Sequence, residues 1–98
     1  MEANDRIVVI GAGNMATSLS MALKKSGNAP VAVWSRTQES AELLGRMVGC
    51  GYTCKIEALP DADVVIISVV DSALHSVARS VASRYPHALV MHTAGSIP

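Results

Sequence analysis

The chain has 98 residues, of which half are apolar and 16% are charged, and this composition excludes disorder and predicts one small domain with a single core. Basic and acidic residues both number 8, so the formal net charge is zero. The basic residues are scattered and form no stripe that could neutralise a nucleic-acid backbone, which argues against nucleic-acid binding.

Membrane insertion and secretion are also disfavoured. The longest apolar stretch, residues 64–70, is too short to span a bilayer, and the acidic start MEANDR is not typical of a signal peptide. Cys50 and Cys54 match neither a CxxC redox motif nor a complete zinc site, so we expect two reduced thiols. Together these features predict a soluble cytoplasmic protein without a bound metal.

Strand-like and helix-like patterns alternate along the chain. Apolar, β-branched runs predict five strands, at residues 6–10, 31–34, 52–56, 63–70 and 88–92. Apolar residues at helical spacing predict three helices, at residues 14–26, at 38–48 and between Asp71 and Pro86. Such repeated units predict an α/β fold, a Rossmann-like doubly wound parallel sheet of strand order 3-2-1-4-5 with helices on both faces.

Local signals mark where these helices begin and end. Gly27 and Gly49 can adopt the left-handed conformation that ends the first and second helices. Ser35 or Thr37 can cap the start of the second helix, and Asp71 or Ser72 that of the third. For Asp71, a capping role is the simplest interpretation.

A glycine turn joins the first strand to the first helix, in the sequence IVVIGAGNMA. Gly11 permits the tight turn, and Gly13 has no β-carbon, so a pyrophosphate can approach the backbone. Ala16 is small enough for the helix to pack against the strand. The free N–H groups near Asn14 and Met15 carry the positive end of the helix dipole. The pattern predicts a dinucleotide site, whereas a glycine turn that serves only the fold is the alternative.

The residues after the second strand indicate which dinucleotide binds. Sites for NAD and FAD usually carry an acid here that accepts hydrogen bonds from the ribose. This chain has Ser35, Arg36 and Thr37 instead, and no acid before Glu39. Arg36 can form charge-assisted bonds to a 2′-phosphate or stack on the adenine, and the two hydroxyls can donate as well. We therefore predict NADP(H) as the cofactor, the alternative being an exposed arginine without a ligand.

The ends of the fourth and fifth strands supply the other candidates. Ligands of such sheets lie beyond the carboxyl ends of the strands, near the reversal between the first and fourth strands. This places Ser68, Val69 and Val70 near the middle of the cofactor and His92 near the nicotinamide. Because histidine ordinarily titrates near neutral pH, His92 is the candidate catalytic residue, as a general acid or a substrate contact. A polar residue bonded at a strand end is an equal alternative.

Three segments of the sequence together resemble a known family. GAGNMA, then WSRT after the second strand and ADVVIISVVDSAL at the fourth, is similar to the N-terminal domain of pyrroline-5-carboxylate reductases. The ending VMHTAGSIP looks closer to a related group of predicted NADP-binding oxidoreductases. The pyrroline-5-carboxylate reductases usually have a proline where this chain has Val70, Asp71 and Ser72, which argues against a role in proline synthesis.

The resemblance implies more protein than these 98 residues. In such reductases a helical C-terminal domain completes the substrate pocket and often supplies a homo-oligomer interface. We therefore expect residues 1–98 to be the NADP-binding domain of a longer oxidoreductase, without a complete active site of their own. The whole enzyme would transfer hydride to or from a small C=O or C=N substrate. The alternative is a non-catalytic NADP(H) sensor; a methyltransferase is disfavoured because no acid follows the second strand.

Overall fold

The computed structural model describes residues 5–11, 13–68 and 71–92, with only the backbone described for 71–75 and 92. Five strands and three helices follow one another as the sequence predicts. The strands are β1 (Ile7–Ile10), β2 (Ala32–Trp34), β3 (Gly51–Thr53), β4 (Val64–Ile67) and β5 (Leu89–His92). The helices are α1 (Asn14–Lys25), α2 (Gln38–Val48) and α3 (Asp71–Arg84), and a 3₁₀ turn spans Ile56–Ala58.

All five strands lie parallel in one sheet of order β3-β2-β1-β4-β5, so the predicted fold class is confirmed. Strand pairing puts the last residues of the strands in one row. Ile10 pairs with Trp34 and Ile67, Trp34 also pairs with Thr53, and Ile67 also pairs with His92. This row is the carboxyl edge of the sheet, and the segments that follow the strands meet there.

Helices cover both faces of the sheet, as predicted. On β1, Ile7 and Val9 pack with residues of α1 and α2, while Val8 and Ile10 pack with residues of α3 and the 3₁₀ turn. All four side chains of β1 are fully buried, which explains a continuous β-branched run without polar alternation.

The third strand differs from its prediction. It spans Gly51–Thr53 and not residues 52–56, because Thr53 Oγ1 accepts the backbone N–H of Lys55 at 3.0 Å and turns the chain out of the sheet. Ile56, interpreted from its apolar side chain as part of the strand, begins the 3₁₀ turn and is buried against the α3 face. The strand stops early because a local side-chain hydrogen bond competes with the sheet.

The helix ends largely agree with the capping predictions. Thr37, and not Ser35, caps α2 by accepting the N–H of Ser40 at 3.2 Å, and Gly49 ends α2 in the left-handed conformation. Gly27 follows α1 with φ +84°. The proposed cap of α3 lies outside the described side chains, although the helix does begin at Asp71.

Both cysteines are free thiols, as the spacing predicts. Partial burial raises the pKa of the Cys50 thiol above its ordinary value, although Lys24 opposes this shift. Since the thiolate is the reactive form, burial makes Cys50 less reactive. Within the described part of the chain, no helix combines the length and the apolar character needed to cross a membrane.

Candidate functional site

The turn between β1 and α1 has a backbone that requires glycine. Gly11 has φ +135° and Gly13 has φ +96°, and both values lie in the region that side chains with a β-carbon avoid. The N–H of Gly11 donates to the carbonyl oxygen of Trp34 at 2.7 Å, which ties the turn to the end of β2. The glycines that the sequence singled out are therefore conformationally necessary.

Gly13 also borders open space. A β-carbon added at Gly13 would meet no atom within 4 Å, so the backbone is bare on that side. Gly13 precedes α1, whose first N–H groups have no partner within the helix, and the first turn of α1 carries no acidic side chain. Lys24 and Lys25 lie in its last turn. A bare backbone at the positive end of a helix dipole is suited to a phosphate.

Thr17 fixes this turn from within the helix. Its hydroxyl donates to the carbonyl oxygen of Gly13 at 2.8 Å, and its N–H donates to the same oxygen at 3.0 Å. The Gly13 carbonyl is therefore held by two donors of the same helical residue. Sequence reasoning missed Thr17, for which the only signal was a hydroxyl residue four positions after the second glycine of the turn.

The first-turn residues divide into buried and exposed ones. Ala16 is fully buried in the cluster that contains Ile7 and Val9, so only a small residue fits between α1 and the sheet. Asn14 and Met15 are exposed beside the turn. Ala16 is therefore a packing residue, whereas Asn14 and Met15 border solvent at the start of α1.

The segment after β2 provides the positive charge at this edge. Arg36 is exposed, and among the described residues the ion pairs do not include it. Ser35 is buried, and its N–H donates to the carbonyl oxygen of Thr53 at 3.2 Å. Thr37 is exposed, and its oxygen already accepts the Ser40 N–H, which leaves the hydroxyl hydrogen available. An unpaired guanidinium with a hydroxyl beside it is suited to a phosphate monoester.

The remaining candidates lie at the ends of β4 and β5. Ser68 is buried directly after β4, and its N–H donates to the carbonyl oxygen of Ile10 at 2.7 Å. Val69 and Val70 fall outside the described residues. His92 ends β5 in register with Ile67, so its backbone lies on the carboxyl edge. The register thus brings the glycine turn, the Ser35–Thr37 segment, Ser68 and the His92 backbone to one edge of the sheet.

Trp34 has a feature that the sequence did not indicate. The side chain is only 9% exposed, and its Nε1–H is buried and has no hydrogen-bond partner among the described residues. Tryptophan has no other polar group, and its N–H usually finds an acceptor when buried. In its described part, the carboxyl edge thus combines bare backbone, a cation outside the ion pairs and an unsatisfied donor, and these groups are suited to a nucleotide.

The fold and this edge define the class of the protein as a Rossmann-like domain. More specifically, the chain belongs to the family described as NADP oxidoreductase coenzyme F420-dependent, whose model matches residues 6–95. The resemblance inferred from the sequence is thereby confirmed.

Individual relatives are consistent with this family. Pyrroline-5-carboxylate reductase from Pseudomonas aeruginosa is 36% identical over 95% of this chain. The structure of a proposed NADP oxidoreductase from Bacteroides fragilis is 41% identical over 98% of this chain, with a TM-score of 0.87. An imine reductase from Myxococcus stipitatus in complex with NADP⁺ is 26% identical over 89% of this chain, with a TM-score of 0.74. The chain spans only 36%, 38% and 31% of these three proteins, respectively.

Proposed function

We propose that this chain binds NADP(H) along the carboxyl edge of its sheet, as the cofactor domain of an oxidoreductase. The main observation behind the proposal is that the Gly11–Trp34 hydrogen bond holds two segments next to each other, the glycine turn after β1 and the segment after β2. On one side lies the bare backbone of Gly13, and on the other lies the exposed guanidinium of Arg36, which is in none of the ion pairs of the described residues. Two anion-binding features joined in this way match the two phosphate positions of NADP(H), its pyrophosphate and its 2′-phosphate.

Each candidate residue has a role in this proposal. The pyrophosphate would be bound by the glycine turn and the start of α1, comprising Gly11, Gly13, Asn14, Met15 and Ala16. The 2′-phosphate would be bound by Ser35, Arg36 and Thr37. The middle of the cofactor would lie against Ser68, Val69 and Val70. Because Ser35 is buried, its contribution would be to hold the segment through its backbone, whereas Arg36 and Thr37 can reach a ligand.

The charge of the segment after β2 indicates which cofactor binds. A carboxylate at the end of β2 would accept hydrogen bonds from ribose hydroxyls and would repel a 2′-phosphate. The segment contains no such group, and Arg36 supplies the opposite charge. The names of the family and of the imine reductase complex, both of which mention NADP, support the same choice.

The proposed reaction is hydride transfer to or from a small molecule with a C=O or C=N bond. When bound, the nicotinamide supplies or accepts the hydride. Two of the relatives are named for compounds that contain a C=N bond, a pyrroline and an imine, which supports this substrate class. His92 would act at the nicotinamide end, as a general acid or a substrate contact, since its backbone lies on the same edge.

We further propose that residues 1–98 are one domain of a longer cytoplasmic protein. The relatives are almost three times as long, and a helical C-terminal domain would complete the substrate pocket and support a homo-oligomer. The free cysteines are consistent with a reducing compartment. Under this proposal, the 98 residues bind the nucleotide while substrate turnover requires the second domain.

The proposal is tested by titrating the chain with NADPH, NADP⁺, NADH and FAD, with nicotinamide emission and Trp34 emission as readouts. We expect saturable binding of NADPH and NADP⁺, weaker binding of NADH and none of FAD. Trp34 emission should change, since the residue ends β2 directly before Ser35. Tighter binding of NADH than of NADPH would contradict the assignment of the cofactor, and a lack of response to every nucleotide would contradict the proposed function.

A further inference from the structure

The unsatisfied indole N–H of Trp34 calls for an acceptor that the described residues do not provide. A buried donor without a partner loses its hydration and gains nothing in return, so such groups are rare in native proteins. The residue is nine-tenths buried, and the Nε1 atom itself is shielded from solvent. The last residue of β2 therefore carries an energetically unfavourable, unsatisfied donor.

One other buried polar atom among the described residues lacks a partner, the hydroxyl of Ser20. Ser20 lies inside α1, where a serine hydroxyl can turn to the carbonyl oxygen four residues earlier in the same helix. An indole has no such local option, because its N–H is rigidly attached to a large ring. Among the described residues, Trp34 therefore has the unsatisfied donor that most needs an acceptor.

The position of Trp34 indicates which part of a ligand could reach it. It is the last residue of β2, between Ile10 of β1 and Thr53 of β3 in the strand register. In doubly wound sheets the segment after the second strand contacts the adenosine ribose of a dinucleotide. The indole packs on the α3 side of the sheet, in the cluster that contains Ile10 and Ile67, which end the two strands flanking the chain reversal.

We infer that the Trp34 Nε1–H donates a hydrogen bond to the adenosine half of the bound nucleotide, at a ring nitrogen of the base or a ribose oxygen. The inference rests on the proposed function and adds a residue that selects for the adenosine end. Because Nε1 is shielded, the indole or the atoms that cover it must shift slightly when the ligand binds. Side-chain changes of this size are common at binding sites whose backbone stays fixed.

The test exploits the fact that Trp34 is the single tryptophan of the chain. In ¹⁵N-labelled protein it gives one indole N–H resonance, which can be followed during titration with 2′,5′-ADP and, separately, with nicotinamide mononucleotide. We expect 2′,5′-ADP to move the indole proton to lower field and to slow its exchange with solvent. Nicotinamide mononucleotide should leave both unchanged. The backbone N–H resonance of Gly13 reports in the same spectra whether a phosphate-containing ligand has bound.

A matched variant, Trp34→Phe, keeps an aromatic ring and removes only the donor and part of the ring system. We expect its dissociation constants for 2′,5′-ADP and NADPH to rise by about three- to tenfold, the value of one hydrogen bond. If the variant does not fold, the wild-type spectra still show whether the indole N–H responds to the ligand. An indole resonance that stays fixed while Gly13 shifts to saturation would overturn the inference and leave the proposed function standing. Absence of any shift at saturating 2′,5′-ADP would refute both.

Discussion

The two edges of the sheet use polar groups in opposite ways. At the amino edge, charged and hydroxyl groups are bonded to one another and to the backbone: Arg6 with Asp63, Arg84 with Asp61 and Leu59, and Tyr85 with Pro60. At the carboxyl edge, Gly13 is bare, Arg36 is outside the ion pairs of the described residues, and the Trp34 N–H has no partner. The bonded groups of the amino edge stabilise the fold, while the groups of the carboxyl edge are suited to a ligand.

The amino edge also has a concave surface. A groove of about 610 Å³ lies at the amino edge, lined by residues that include Arg6, Asp63, Arg84 and Tyr85. Two ion pairs, Arg6–Asp63 and Arg84–Asp61, already form there, so a ligand that binds these groups would have to break them first. Among the described residues, free hydrogen-bonding capacity therefore distinguishes the candidate binding edge from the structural one.

The largest expected difference between the edges comes from two glycines of the same helix. Gly13 precedes α1 and Gly27 follows it, both have positive φ, and a β-carbon at either would meet no atom within 4 Å. Alanine at either position should destabilise the fold by about 1–3 kcal/mol through backbone strain. Only Gly13→Ala should also weaken NADPH binding, by about 100-fold, because it removes the equivalent of two charge-assisted hydrogen bonds.

Calorimetric titration of the two alanine variants with NADPH would separate these effects, with thermal unfolding as the check on folding. Equal losses of affinity in Gly13→Ala and Gly27→Ala would show that strain, and not access to the turn, governs binding. The difference between the glycines would then have no functional meaning.

At the amino edge, a substitution is expected to lower stability without weakening nucleotide binding. Arg84 donates to the carbonyl oxygen of Leu59 at 2.6 Å, pairs with Asp61 at 3.4 Å and lies over the ring of Tyr85 at 4.6 Å. Arg84→Met keeps the apolar stem and removes the charge, so the free energy of unfolding should fall by about 1–2 kcal/mol. Affinity for NADPH should change less than about twofold in the same variant. Urea unfolding and nucleotide titration measure the two quantities, and a large loss of affinity would remove the functional distinction between the edges.

The smallest expected effect concerns pH. The backbone N–H of Arg6 at 2.8 Å, and then the Arg6 side chain, lower the pKa of Asp63 below its ordinary value of 3.8. The stabilisation from Asp63 is therefore fully present above pH 3.8 and is lost as the pH falls through the lowered pKa of the folded state. Asp63→Asn should be less stable than the wild type near neutrality, and the difference should shrink below about pH 4. A difference that is independent of pH would contradict a role for the ionised carboxylate.

The fold could be predicted from the sequence because its signals are local and repeated. A fully buried strand such as β1 needs an unbroken β-branched run, and α2 needs a cap at Thr37 and a glycine at position 49, all of which the sequence displays. The end of the third strand was predicted wrongly because it depends on a single local hydrogen bond. One hydrogen bond from Lys55 to Thr53 moved the end of the strand, and residue type alone does not indicate whether such a bond forms.

The candidate site could be predicted only in outline. Glycine spacing and the residues after β2 indicated the location, since chain order fixes which strand ends become neighbours. The sequence could not show that Ser35 is buried while Arg36 is exposed, because both follow the strand directly. Nor could it show that the indole of Trp34 lacks an acceptor, since this depends on every atom that packs around the ring.

The most direct test of the central claim, that the carboxyl edge recognises NADP(H), is a comparison of dissociation constants for NADPH and NADH in Arg36→Asp. The matched control is Arg79→Asp, which makes the same charge change at an exposed position within α3. We predict that Arg36→Asp weakens NADPH by about 100-fold and NADH by no more than about fivefold, because only NADPH has the 2′-phosphate while stacking on adenine serves both. Arg79→Asp should change neither constant appreciably. Equal losses for the two nucleotides in Arg36→Asp would contradict the account.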